Sequence, residues 1–436
     1  MKRLINFFNS NILLRIASLN SASVLVRIAT GLVTSKVIAL FVGPTGLALV
    51  GNMRDFFSTV QSFSTLGFYN GVVKYVAEFK NDVKRLTQTI SSVFYLMFIA
   101  TILVALFCFF GADYINRLLF QEGNDYAYII RIVAVVLPFY TLNVLMLALL
   151  NGLSRFRTIL MVQIIGQLFG ACLAVFLIWR LHVDGALLSI ILIEVLLFVI
   201  TILSISDKRY FLSLIKRKNI SFKKIKKLSS FSIMALFTAT VMPLVALMIR
   251  NYIIENEGTD DAGFWEAMNR LSNYYLMFVS SLLTLYVLPR FSEITTDRVF
   301  RKEVFGFYKT IIPIFGLGLI VIYFLRHLII TIVFSKAFEP VETLFFWQLL
   351  GDFVKVLSVV IAVQFLAKKM FWHYIITEAL SVTVLYFSSI YLIDLYGVKG
   401  ATMAHFVNYI FYFGIVLLIF RTSLFGKLPK TESDTL

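Results

Sequence analysis

Long apolar windows separated by short polar stretches run along the whole chain. Twelve of them reach the roughly twenty residues needed to cross about 30 Å of hydrocarbon. They fall at 17–42, 45–76, 86–111, 126–152, 157–180, 184–206, 229–254, 262–289, 303–325, 341–367, 371–394 and 398–421. The runs are too long and too continuous for barrel strands, so the pattern predicts an all-α integral membrane protein of twelve transmembrane helices. The second and eighth windows are longer than a perpendicular crossing needs, which predicts tilt or extension past the bilayer.

Between the windows, basic residues favour one side. The connection at 207–228 holds Lys208, Arg209, Lys216, Arg217, Lys218, Lys223, Lys224, Lys226 and Lys227 against one acid, Asp207. Lys80, Lys84 and Arg85 follow the second window, and Arg155 and Arg157 the fourth. Arg298, Arg301 and Lys302 follow the eighth, Lys368 and Lys369 the tenth, and Arg421, Lys427 and Lys430 the last. The other side carries Gly43-Pro44-Thr45-Gly46, the acidic stretch from Glu255 to Asp261, and the turn from Tyr396 to Gly400. Positive loops stay in the cytoplasm, so both termini and the linker are expected there.

Residues 1–206 then form an N-terminal lobe of six helices and 207–228 a basic cytoplasmic linker. Residues 229–421 form a C-terminal lobe of six helices, and 422–436 a cytoplasmic tail. An even number of crossings gives both lobes one orientation, with a repeat axis along the membrane normal.

Composition agrees with this and removes alternatives. The chain is 59% hydrophobic and 15% charged, with mean hydropathy +0.87, more apolar side chain than a soluble domain can bury. A net charge of +16 would suggest nucleic acid in a soluble protein. Here loop cations that set topology account for it, and no nucleic-acid partner is expected. The start, Met1-Lys2-Arg3-Leu4-Ile5-Asn6-Phe7-Phe8, lacks an apolar core followed by a cleavage site and reads as a retained cytoplasmic tail. Cys108 and Cys172 fall inside apolar windows, which argues against a disulfide. Four scattered histidines give no metal-ligand spacing, and no cofactor is expected. A phosphate-binding loop, a Ser/His/Asp arrangement and a zincin spacing are all missing, so the chain does not read as an enzyme. Uphill movement would need an ion gradient or a downstream sink.

Charges inside the windows carry the functional signal. Arg54 follows Gly46-Leu47-Ala48, and Lys74 with Glu78 close its window. Arg270 follows Gly263-Phe264-Trp265, and Arg290 with Glu293 close the matching one. A mid-membrane charge costs at least a few kcal/mol unless it faces water, a counter-ion or an anion. Arg54, Ser58, Gln61 and Thr65 share one helical face, and Glu266, Arg270, Asn273, Ser280 and Thr284 form a comparable stripe. Such stripes line a water-filled cavity or hydrogen-bond neighbouring helices; helix glue alone does not need an arginine. Glu266 lies one turn before Arg270, so that pair is either structural or a balanced site, whereas Asp55 points about 100° away from Arg54. Arg54 is the stronger candidate for holding an anion.

Arg27 and Lys36 add cations on the first helix, Lys36 near enough to the outer end to snorkel. Gln348, Asp352 and Lys355 share a face of the tenth helix, either as a neutralised Asp–Lys pair or around a titratable carboxylate. Glu194 and Glu378 have no cation one turn away and are candidates for ion coupling, together with Asp55 and Asp352. Arg27, Lys36, Arg54, Arg270 and Lys355 are the substrate-binding candidates. Several cations lining one cavity suit a multiply charged anion, and the Arg fork suits phosphate. An amphiphile with an anionic head, such as a polyprenyl diphosphate bearing a sugar chain, fits a cationic cavity open to lipid.

The stretch from Gly43 to Arg54, continued by Phe68-Tyr69-Asn70-Gly71-Val72-Val73-Lys74-Tyr75-Val76-Ala77-Glu78, resembles the Wzx-type flippases. These belong to the multidrug/oligosaccharidyl-lipid/polysaccharide exporter superfamily. Trp347-Gln348-Leu349-Leu350-Gly351-Asp352-Phe353-Val354-Lys355-Val356, Ala367-Lys368, Arg27 and Lys36 are similar to its O-antigen and enterobacterial-common-antigen branch. The resemblance runs across nearly the whole chain. It implies a bacterial inner-membrane protein, to which the windows and charges add two six-helix lobes around a central cationic cavity. It further implies transfer of an undecaprenyl-diphosphate-linked oligosaccharide repeat unit from cytoplasmic to periplasmic leaflet by alternating access, coupled to protons or sodium. A glycan polymerase and a chain-length regulator are the partners it suggests, besides the membrane lipid itself. A multidrug/cation antiporter of the same superfamily is the runner-up and would want acidic deep faces. A membrane-embedded polymerase or ligase would want a large periplasmic catalytic loop.

Overall fold

The computed structural model describes residues 12–120, 125–205, 211, 213–216, 218, 222–294 and 296–426, and every regular element among them is helical. Lys208, Arg209, Arg217, Lys427, Lys430 and the N-terminal Met1–Phe8 lie outside the described residues, as do the side chains of Lys223, Lys224, Lys226 and Lys227.

By compactness the chain divides into Met1–Met248 and Ile249–Leu436. The first unit holds α1 (Ile12–Phe41), α2 (Gly43–Thr65), α3 (Tyr69–Phe79), α4 (Val83–Phe110), α5 (Ala112–Phe120), α6 (Ala127–Gly152) and α7 (Phe156–Ser204). The next helix, α8 (Phe222–Asn256), begins in the first unit and ends in the second. The second unit continues with α9 (Thr259–Leu282), a π-helical turn (Leu283–Val287), α10 (Leu288–Glu293), α11 (Asp297–Phe324) and α12 (Arg326–Val333). A 3₁₀ segment (Lys336–Leu344) leads into α13 (Phe345–Ala367), followed by α14 (Phe371–Tyr396), α15 (Val398–Ile419) and α16 (Arg421–Phe425).

Nine helical stretches among the described residues are long and apolar enough to cross a membrane. One is α7, whose 49 residues fold back at His182 (φ 50°), so it supplies both crossings expected at 157–180 and 184–206. Two further expected crossings, α2 and α9, are too polar for that count because they carry the arginine-bearing stripes. The window at 45–76 is not one tilted helix. Leu66 and Gly67 both take positive φ, ending α2 at Thr65, and α3 begins at Tyr69. The window at 262–289 extends instead through the π turn into α10.

Within the first unit α1 and α6 pack on α7, α4 on α6, and α3 on α6. Gly152 permits that last approach, since a Cβ there would lie 2.5 Å from Val76 Cβ. Hydrogen bonds join helices where lipid offers no partners: Thr101 to Thr141 at 2.9 Å, and Thr201 to Asn143 at 2.7 Å. Within the second unit α13 and α14 pack on α15, and α11 on α13, around Phe300, Val356, Val360, Phe365, Tyr412 and Phe420.

The same hairpin turn occurs in both units. His182-Val183-Asp184-Gly185-Ala186 folds α7, and Gly397-Val398-Lys399-Gly400-Ala401 joins α14 to α15. His182 and Gly397 both have positive φ. A Cβ on Gly185 would meet Leu177 O at 2.0 Å, and one on Gly400 would meet Leu392 O at 2.0 Å.

Candidate functional site

In the first unit α2 presents the expected polar face. Arg54 is exposed, Asp55, Ser58 and Gln61 are half-buried, and Thr65 is buried. The face is already committed at its lower end: Gln61 Nε2 donates to Glu194 Oε1 of α7 at 3.2 Å, and Thr65 Oγ1 to Gln61 O at 3.0 Å. Glu194 thus joins the Arg54 stripe through Gln61. Ser62 Oγ donates to Ala239 O of α8 at 3.4 Å, so the adjacent strip of α2 acts as helix glue. On α1, Arg27 and Lys36 are both half-buried, and Arg27 Nε is buried with no hydrogen-bond partner.

In the second unit the stripe on α9 divides. Asn273, Ser280 and Thr284 are exposed, while Glu266 and Arg270 turn into the packed interior. Glu266 Oε1 accepts from Arg270 Nε at 3.0 Å, and its Oε2 from Arg250 Nη2 of α8 at 2.8 Å. The three side chains are 6%, 3% and 2% exposed. Arg250 also lies over the Trp265 ring, 5.4 Å from its centroid. Arg270, expected to touch substrate, is here one arm of a buried Arg–Glu–Arg cluster. Arg250 was not singled out from the sequence, because its partner is on another helix, sixteen positions later.

Asp352 on α13 is fully buried and is the hub of a second network. Its Oδ2 accepts from Ser272 Oγ and Tyr275 OH of α9, each at 2.5 Å, and from Gln348 Nε2 at 3.4 Å. Its Oδ1 lies 2.9 Å from His405 Nε2 of α15. Of the charged groups, His405 is the one in hydrogen-bond contact with Asp352. Lys355 Nζ instead sits over the Tyr409 ring at 5.2 Å, next to the His405–Tyr409 contact at 4.8 Å. Gly351 makes this possible: a Cβ there would lie 2.4 Å from His405 Cδ2 and 3.2 Å from the Phe406 backbone. Glu378 on α14 accepts a long hydrogen bond from Tyr412 OH at 3.5 Å and stays outside the Asp352 hub.

At the start of α9, burial and the Glu257 and Asp260 carboxylates push the Asp261 carboxyl above its ordinary range. Both cysteines are free. Among the described residues, His, Cys, Asp and Glu nowhere gather in threes that could hold a metal.

The sequence profile of the polysaccharide biosynthesis protein family matches residues 13–295. The Lipid III flippase of Escherichia coli (strain K12) is 31% identical over 411 residues, covering 92% of this chain and 96% of that protein. The Lipid III flippase of Shigella flexneri matches to the same extent. Among solved structures, an inward-facing multidrug resistance MATE family transporter of the MOP superfamily superposes with TM-score 0.72 at 13% identity. That match covers 92% of this chain and 94% of the transporter. The inward closed lipid II flippase MurJ superposes with TM-score 0.71 at 16% identity, covering 93% and 87%. Likeness at these identities speaks to the fold alone: an all-helical, multi-pass membrane architecture.

Proposed function

Because the chain belongs to the polysaccharide biosynthesis protein family, we propose that it is a flippase for a polyprenyl-diphosphate-linked oligosaccharide. It moves the lipid-linked unit from the cytoplasmic to the periplasmic leaflet of a bacterial inner membrane, with both termini cytoplasmic. The observation that carries this is the 31% identity to Lipid III flippases over 92% of the chain. The chemistry of the first unit suits such a substrate. Arg54 is an exposed guanidinium on a membrane-crossing helix, and a bidentate donor fork complements a diphosphate. Arg27 and Lys36 add cations on α1.

In the second unit Arg270 holds structure through Glu266 and Arg250, and Lys355 contributes positive potential. Coupling to an ion gradient falls to Asp352 with His405, and to Glu194 with Gln61; Asp55 and Glu378 are weaker candidates. Alternating access then carries the glycan across while the head group stays with the cations. A glycan polymerase and a chain-length regulator would act on the delivered unit. A drug/cation antiporter shares the fold but would need acids, not arginine, on the exposed deep face of α2.

In the source bacterium, deleting the chain should abolish surface glycan and leave repeat units on the cytoplasmic leaflet. Arg54→Ala should lower glycan display at least tenfold, the scale of one lost charge-assisted contact, while inserting at wild-type levels. Full display from Arg54→Ala would remove Arg54 from the site.

A further inference from the structure

An apolar groove of about 680 Å³ lies between α11 and α13 in the second unit. Pro313, Gly316, Ile320, Tyr323, Phe346 and Phe353 shape it. Along α11 the lining runs from Ile312 to Phe324, about 18 Å at 1.5 Å per residue. The absence of a side chain at Gly316 opens the floor, where a Cβ would come within 3.2 Å of Phe353. The volume is in the range of small-molecule sites, yet the walls are almost wholly apolar.

One end of this groove carries a charge. Arg326 lies over the Tyr323 ring, 4.6 Å from its centroid, and donates through Nη1 to Tyr323 O at 2.9 Å. Its side chain remains 33% exposed. The nearby acid, Glu342, is 3.7 Å from Arg326 Nε and is held more closely by His327 Nδ1 at 2.6 Å. Donors of Arg326 therefore remain for an anion at the mouth of an apolar channel.

We propose that this groove seats the single isoprenoid chain of the lipid carrier, with its phosphate head on Arg326. The assignment rests on the flippase reading and on the topology read from loop charge, which puts the Tyr323 end of α11 at the periplasmic surface. It makes the groove the seat of the carrier in the outer leaflet. One channel ending at one cation matches a lipid with one chain per phosphate head. A bulk phospholipid brings two chains to each phosphate and fits this geometry less well.

Full-length protein in lipid nanodiscs, titrated with undecaprenyl diphosphate, tests the assignment by native mass spectrometry or thermal shift. Ile320→Trp fills the groove from an exposed position, and Arg326→Gln removes the charge. Each should weaken binding about tenfold, the scale of a lost charged contact or an occluded apolar seat. Phe387→Trp, at an exposed position on α14, should change nothing. Monodispersity checks folding, and if one groove variant fails to fold, the other decides. Wild-type affinity in the groove variants overturns the proposal, as does equal competition by phosphatidylglycerol, which would make the groove an ordinary lipid seat. These binding data judge the groove alone. The flippase reading falls separately, if deleting the chain leaves surface glycan intact.

Discussion

Glu266 is shared by two guanidinium groups in a space that excludes water. Removing one partner of such a cluster is costly, because it leaves a charge buried without compensation. Arg250→Met should therefore destabilise the protein by about 3–5 kcal/mol, seen as a lowered unfolding midpoint in detergent. Replacing Arg250, Glu266 and Arg270 together with apolar residues should cost much less. Equal loss in the single and triple variants would contradict this account. The Glu266–Arg270 half of the cluster was legible in sequence, since partners at i and i+4 share a helical face. Arg250 was not, because helical spacing identifies neighbours on one helix and says nothing about the next. The same limit explains Asp352. Its own helix offered Lys355 one turn away, while the partner it took, His405, stands 53 positions later.

Gly351 was the available sign of that partner. A glycine inside an apolar helix, directly before a buried acid, marks a close approach by another helix. Gly351→Val should separate α13 from α15, cost about 1–3 kcal/mol of overpacking, and move His405 off Asp352. A lowered thermal midpoint with reduced transport would bear this out; unchanged values for both would not. Other elements follow from local backbone. Windows at 157–180 and 184–206 were correctly separated because polar residues interrupt them. The break after Thr65 escaped the hydropathy pattern, because Leu66 is apolar and only its left-handed backbone, with Gly67, ends the helix. Polarity also explains why α2 and α9 are less apolar than the other crossings: both carry the charged faces that drew attention to them.

For the whole molecule, orientation can be read by accessibility. In a background with Cys108 and Cys172 replaced, Glu255→Cys should react with a membrane-impermeant maleimide applied from the periplasm, and Lys80→Cys should not. Reversed labelling would invert the topology assigned from loop charge. The two units share one kind of hairpin turn, but their arginines differ in setting: Arg54 is exposed and Arg270 is enclosed. Helix α9 shows what that difference permits. It is fastened at Glu266–Arg270 and again, about 9 Å further along, at Ser272 and Tyr275 on Asp352. Two supports less than two turns apart therefore fix this stretch of α9, one to Arg250 on α8 and one to Asp352 on α13, so the three would move as one rigid piece, a brace and not a sliding rod.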